Sequence, residues 1–465
     1  MPLSPTMPDT AQATSLRSPM TASWVLMSGV ALMMLSNGLQ GSLVSLRASM
    51  ESFATLSIGF VMASFYVGLL IGTWWVPSVV QRVGHVRVFA ALASMASTSV
   101  LLHLMLVHPL TWSLVRLACG FCIAGLYVVA ESWLNDLATN ETRGQLMGLY
   151  MMVSVGGLGG GQALLTVADP GGYHLFVVAS VLVSLALVPI VLSASPGPVI
   201  ADPQPMSLRA VGIAAPLGLL GAVGAGVTHG AVLGMGTVYA QEVGLSVGQT
   251  AGFLAAAIGG GVLLQIPLSR ISDTRDRRKV IAAVSLLAAV AAIATAMVAH
   301  LPVTLLLSMA VFGGLSWPIY SLCVAHTNDW LSRGQIVGAT ATLVLATGFG
   351  AVAGPLLVAA AMSSFGPPGF FGVLAAAHVV IGIYALHRLT VRPQAPRQGP
   401  VPYVAWAARA ATVATAINPR TMSRARSAVS RRRDRRWHAH PEPAARARPR
   451  RPVAVLHGRR NRSST

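Results

Sequence analysis

The chain alternates between long apolar runs and short polar breaks. A bilayer-spanning helix needs about 20 mostly apolar residues, because its backbone must satisfy its own hydrogen bonds in hydrocarbon. Runs of this kind cover residues 22–46, 55–79, 88–107, 111–133, 144–167 and 174–194. A break containing Pro196, Pro198, Pro203 and Pro205 follows. A second set covers 210–237, 249–268, 280–299, 303–325, 335–361 and 370–388. The pattern predicts an all-α integral membrane protein of twelve transmembrane helices, six on each side of a central linker. The first run begins near Ala22, after one charge of each sign (Asp9 and Arg17). It is too long for a signal-peptide core and lacks a cleavage site, so it is expected to stay as the first helix.

Charge orients these elements. With the N-terminus inside, the inner loops and flanks carry Arg17, Arg82, Arg87, Arg143, Arg209, Arg270, Arg275, Arg277, Arg278, Lys279, Arg333 and Arg388. The outer loops carry Arg47 alone. This positive-inside bias predicts that both termini are cytoplasmic. The halves also echo each other: RGQLMG (143–148) recurs as RGQIVG (333–338), and QRVGHVR (81–87) is matched in place by SDTRDRR (272–278). Internal repeats of this size are a common way to build a transporter, with the solute site where the halves meet. The expected organisation is a cytoplasmic segment (1–21), an N-terminal six-helix bundle (22–194), a cytoplasmic linker (195–209), a C-terminal six-helix bundle (210–390) and a cytoplasmic tail (391–465).

Composition agrees and removes alternatives. The 465 residues are 54% hydrophobic and 10% charged, with a mean hydropathy of +0.66, where a soluble domain carries about a quarter charged residues. The formal charge of +19 belongs mainly to the tail, since residues 391–465 hold 18 of the 32 basic residues. The single lysine, Lys279, follows Arg278, so there is no phosphate-binding G-x-x-x-x-G-K-[ST] loop. H-E-x-x-H, G-x-S-x-G and four-ligand zinc patterns are missing too, which argues against an enzyme and against a metal or other cofactor. Avoidance of lysine fits a GC-rich bacterial genome. Cys119, Cys122 and Cys323 lie in apolar stretches and read as small packing residues.

Two six-helix halves with paired basic loops after helices 2 and 8 resemble the major facilitator superfamily. Its loop signature, roughly G-x-x-x-D-R-x-G-R-R, is matched in the second half by SRISDTRDRR (269–278), with Asp273, Arg277 and Arg278. In the first half Arg82, Gly84 and Arg87 remain, but Gln81 replaces the acid. The helix-4 pattern R-x-x-x-G-x-G-x-A stands as Arg116, Gly120, Cys122 and Ala124, with Cys122 in place of a glycine. The helix-5 antiporter pattern lacks its proline, as 156–162 reads GGLGGGQ, which weakens an antiport reading. More narrowly, RVGHVRVFAAL (82–92), GFCIAGLYVVAESWLN (120–135) and FGGLSWPIYSLCVAHTND (312–329) resemble the YcaD-type branch. The resemblance implies a secondary transporter of a small organic solute in the bacterial cytoplasmic membrane, working by alternating access and coupled to protons by family habit. A transporter-fold sensor or scaffold, or an uncoupled facilitator, is the alternative.

Ionisable groups inside a span cost several kcal/mol, so they face a partner or a watery cavity. Arg116 is the clearest. At 100° per residue, Arg116, Gly120, Tyr127 and Glu131 share one face of helix 4. The resemblance puts helices 1, 4, 7 and 10 around the pathway, where Arg116 either binds an anionic group, biases a proton site, or is structural, as an ion pair or a carbonyl-capping arginine. Glu131, about 22 Å further along by helical rise, is either a contact at the inner mouth or a solvated helix-end acid. Asn37 and Gln40 on helix 1 suit a polar solute or interhelical hydrogen bonds. Arg47, at the outer edge, is expected to snorkel. His229 on helix 7 is the only histidine near mid-depth in a cavity helix, a proton-coupling or a structural residue. Tyr66, Tyr127, Gln162, Trp317 and Tyr320 are further candidates for solute contact, with packing the alternative for each, and Trp317-Pro318 marks a kink. Arg82, Gly84, Arg87, Arg143, Asp273, Arg277, Arg278 and Arg333 form the candidate cytoplasmic gate.

The tail has no packable core, and its arginines suit weak association with anionic lipid. Partners are therefore expected to be a small-molecule substrate and the bilayer, without nucleic acid, around a monomer.

Overall fold

In the computed structural model the described residues are 19–137, 143–192, 206–332 and 334–391. The N-terminal segment, most of the central linker and the tail named above lie outside them. The described residues are almost entirely helical and contain no strand. The first half is α1 (Pro19–Met50), α2 (Thr55–Val83), α3 (His85–Met105), α4 (Pro109–Leu137), α5 (Arg143–Ala163) and α6 (His174–Leu192). The second is α7 (Leu208–Ala214), α8 (Pro216–Glu242), α9 (Val247–Thr274), α10 (Arg277–Met297), α11 (Pro302–Ser316), α12 (Ile319–Asn328), α13 (Ile336–Phe365) and α14 (Pro368–Val391). Two expected single helices are thus divided. The seventh breaks before Pro216, whose ring cannot continue the helix behind it. The tenth breaks at Trp317-Pro318, the kink the sequence predicts.

Eleven spans are long and apolar enough to cross a membrane among the described residues. The remaining expected span, α5, is 21 residues long and falls outside that set, as its glycines and glutamines (Gln145 and Gln162) dilute its hydropathy. The surface is apolar, with Trp74, Trp75, Leu263 and Ile293 exposed, while Gln40, Arg116, Glu131, His229 and His378 are buried. This inversion of the soluble pattern suits a hydrocarbon solvent.

The halves repeat one packing scheme. In the first, α2 packs on α4, α1 on α5 and α6, and α3 on α4 and α6. In the second, α9 packs on α11, α8 on α13 and α14, and α10 on α11 and α14. Lipid offers helices no hydrophobic drive to associate, so small residues that let backbones touch do the work. A Cβ on Gly68 would overlap the Leu117 carbonyl, and one on Gly120 the Phe65 carbonyl. At equivalent places in the second half, Gly260 abuts the Ala310 carbonyl and Gly313 the Ala257 carbonyl.

The core divides unevenly along the bundle axis. At the end holding the α1–α2 and α13–α14 turns, one apolar cluster joins the halves, with Leu43, Ile58 and Met62 packed among Met235, Tyr239, Leu254 and Met362. Ser45 on α1 and Thr237 on α8 share a hydrogen bond across it. Toward the other end each half has its own cluster. The bridge there is α13, which runs along α2 and lends Ala341 and Ala351 to the first half.

Between α9 and α10 the chain turns at Asp276, the N-cap of α10, whose carboxylate accepts from the Arg278 backbone N–H at 3.0 Å. It also accepts from the Arg278 guanidinium at 2.7 and 3.1 Å. Burial pushes the Asp276 carboxyl up, but the Arg278 hydrogen bonds and charge prevail and hold it below its ordinary value of 3.8. Such a group stabilises the fold above its unfolded pKa, and the benefit is lost as pH falls through the lower folded value.

Two predictions follow from these contacts. Gly68→Ala should force α2 from α4 and cost about 1–3 kcal/mol, whereas Gly156→Ala, with open space around it, should be neutral. Equal melting temperatures for the two variants in detergent would refute the close-contact account. Acidification below about pH 4 should destabilise the wild type more than Asp276→Asn; parallel melting curves against pH would count against the Asp276–Arg278 contribution.

Candidate functional site

Among the polar side chains buried in the first half are Gln40 on α1 and Arg116 on α4. Arg116 is 2% exposed. Its guanidinium carbon stands 4.3 Å from the Phe65 ring centroid, a cation–π contact where a carboxylate is the usual partner. Cys119, one turn along α4, and Tyr66 on α2 lie within its electrostatic reach. The Cys119 thiol donates to Gln40 Oε1 at 2.9 Å, tying α4 to α1. Arg116 Nε, Arg116 Nη1 and Gln40 Nε2 are buried with no hydrogen-bond partner among the described residues. Asn37, one turn before Gln40, is half-buried. Gln162 on α5 donates to the Gly38 carbonyl at 3.1 Å and accepts from Ser42, so it holds α5 against α1 rather than facing a solute.

In the second half, His229 on α8 packs on Trp317, ring centroids 4.7 Å apart. Trp317 sits at the α11–α12 break and fills the space left by Gly261, whose Cβ would stand 2.8 Å from it. Tyr320 is buried one turn further along. The sequence-predicted residues therefore form two groups, Gln40 with Arg116 and His229 with Trp317, one per half.

The expected polar stripe on α4 is not continuous. Gly120, between Arg116 and Tyr127, is covered by the α2 backbone. Tyr127 is half-buried, and its hydroxyl donates to Met34 Sδ at 2.9 Å. Glu131 is fully buried and accepts from the Tyr150 hydroxyl at 2.7 Å, which removes the reading of it as a solvated helix-end acid. Arg47 pairs with Glu51 at 2.6 Å, one turn on, instead of reaching for headgroups.

The candidate gate differs between halves. Arg277 bridges Asp273 at 2.9 Å and Asp329 at 2.8 Å, and Arg278 binds Asp276 and the Arg388 carbonyl. In the first half Arg82 and Arg87 are exposed and form no ion pair among the described residues, since Gln81 stands where an acid would. Gly84 turns the chain there at φ 94, a left-handed conformation suited to glycine. Arg333 and the Arg143 side chain lie outside the described residues. Sequence reasoning passed over Cys119, Phe65, Tyr150 and the Ser45–Thr237 pair. Cys119 carried a signal, being one turn from Arg116; the other three needed knowledge of which helices touch.

The chain's residues 218–439 match the model of the Major Facilitator Superfamily. It is 25% identical over 349 residues to the uncharacterized MFS-type transporter YcaD of Escherichia fergusonii, covering 73% of this chain and 89% of that one. A Yersinia pestis MFS-type transporter, also uncharacterized, is 26% identical over 353 residues, with the same coverages. The fold matches the crystal structure of the nucleoside transporter NupG with a TM-score of 0.67 at 14% identity, covering 80% of this chain and all of that one. With its apolar spans and repeated halves, the chain is similar to the YcaD-like transporters of the major facilitator superfamily and is a multi-pass membrane transporter of the bacterial inner membrane.

Proposed function

We propose that the protein is a secondary transporter that carries a small organic solute between its halves by alternating access. One observation carries this reading: the broad core common to both halves lies at one end, and at the other end α13 alone joins the first-half cluster. Opening the shared-core end requires parting one apolar seam and the Ser45–Thr237 hydrogen bond, while the opposite end is held chiefly by α13 along α2. With the positive-inside bias taken to put the sealed end outside, the uneven core supports an inward-directed state. The buried Gln40–Arg116 and His229–Trp317 groups, one in each half, are the solute contacts in this reading. Rocking of the halves exposes them alternately. The Arg277–Asp273–Asp329 network on the inner face serves as a latch.

The chain suits a proton-coupled or an uncoupled cycle, and Glu131 with Tyr150 is the buried acid available for coupling. In the same reading the tail associates weakly with anionic lipid and the working unit is a monomer.

The test is counterflow in proteoliposomes, with a panel of labelled nucleosides, sugars, amino acids and organic acids. At least one solute should exchange, and oxidised S45C/T237C should block that exchange until a reductant is added. The native cysteines are buried and free, so the engineered pair is the one that responds. Failure of the whole panel to exchange, or exchange indifferent to the oxidised bridge, would overturn the proposal.

A further inference from the structure

Arg116 sits in an environment that a resting protein has reason to avoid. The side chain is 2% exposed, and arginine keeps its charge across the physiological range. No ion pair reaches it among the described residues. The nearer of the two acids on its own helix, Glu131, is fifteen residues on, about 22 Å by rise, and bound to Tyr150. The titratable groups in its field are Cys119, Tyr66 and His103, and none of these is a carboxylate. An uncompensated buried charge is strongly unfavourable, and the Phe65 ring returns only part of the loss.

Three donors are unfilled at this place: Arg116 Nε, Arg116 Nη1 and Gln40 Nε2. The Cys119 thiol, one turn along α4 from Arg116, donates to Gln40 Oε1 at 2.9 Å and so holds the Gln40 amide against the same stretch of α4. A single positive charge, several N–H donors without acceptors, and aromatic rings from Phe65 and Tyr66 alongside form a recognisable set. It is complementary to one oxyanion joined to an apolar body.

We infer that the Arg116–Gln40 cluster is a binding site for the carboxylate of an organic monoanion, which is the transported solute. This rests on the transport reading above and narrows its substrate class. One negative charge balances the arginine, and the two carboxylate oxygens offer acceptors enough for all three donors. A phosphate shares the oxyanion chemistry, but its second charge at neutral pH would have no cation to meet.

The full-length protein in detergent is titrated with benzoate, acetate, benzamide and inorganic phosphate, following melting temperature and heat of binding. Both carboxylates should raise the melting temperature, benzoate more than acetate, and benzamide should not. Arg116→Met should weaken benzoate binding about tenfold or more. Without ligand, Arg116→Met should melt no lower than the wild type, because it removes a charge that nothing balances. Gln40→Leu should weaken benzoate binding by a smaller factor, which keeps the test decisive if Arg116→Met does not fold. The inference falls if neither carboxylate binds, if benzamide or phosphate binds better than benzoate, or if both variants bind benzoate like the wild type. Absence of carboxylate binding while the S45C/T237C bridge still controls counterflow of another solute defeats this inference and leaves transport standing. Carboxylate binding without counterflow of any solute defeats the transport reading instead.

Discussion

Contact between helix backbones is what the rest of this structure depends on. Inside a bilayer, apolar side chains gain nothing by leaving lipid for protein, so the spans adhere through close van der Waals approach and a few internal hydrogen bonds. Gly68 and Gly120 let α2 and α4 meet carbonyl to Cα, and Gly260 with Gly313 does the same for α9 and α11. These contacts set how near α2 stands to α4, and hence that Phe65 comes to lie under the Arg116 guanidinium. A wider crossing would separate ring and charge. Cys119 of α4 separately reaches Gln40 of α1 through its thiol. The site is thus a product of the packing.

Much of this fold was legible in the sequence because the lipid constraint is coarse. Twelve apolar runs of the right length leave few other architectures, and the RGQ repeat places the halves in register. The exception is instructive. The crossing at α5 is the weakest apolar signal, because the glycines that let it sit against α1 also lower its hydropathy. Pro318 announced the break in the tenth span. Pro216 carried the same signal but stood inside an otherwise unbroken run, and the division of the seventh span was missed.

The site was less legible, since helical periodicity gives a face but not what covers it. Arg116, Gly120, Tyr127 and Glu131 do share a face of α4, yet α2 covers Gly120 and interrupts the stripe. Glu131 read equally well as a solvated acid until α5 brought Tyr150 to it. Gln162 looked like a solute contact, and its partners Gly38 and Ser42 make it a brace between α1 and α5. In each case the deciding fact is a neighbour from another helix, which periodicity within one helix does not contain.

The two halves share their packing but divide their chemistry. The buried cation is in the first half, on α4, and its pseudo-equivalent region on α11 in the second half holds the apolar Met309 and Phe312. The ion-pair network is in the second half, around Arg277, while Arg82 and Arg87 of the first are exposed. A symmetric pair of halves would hold a solute equally and release it with no preferred order. Here a charged group bound at Arg116 would belong to the first half, and the second would close on its less polar end. The latch of salt bridges would then sit on the half that moves over the solute. In the proposed cycle, that division of labour lets one rocking motion separate binding from gating.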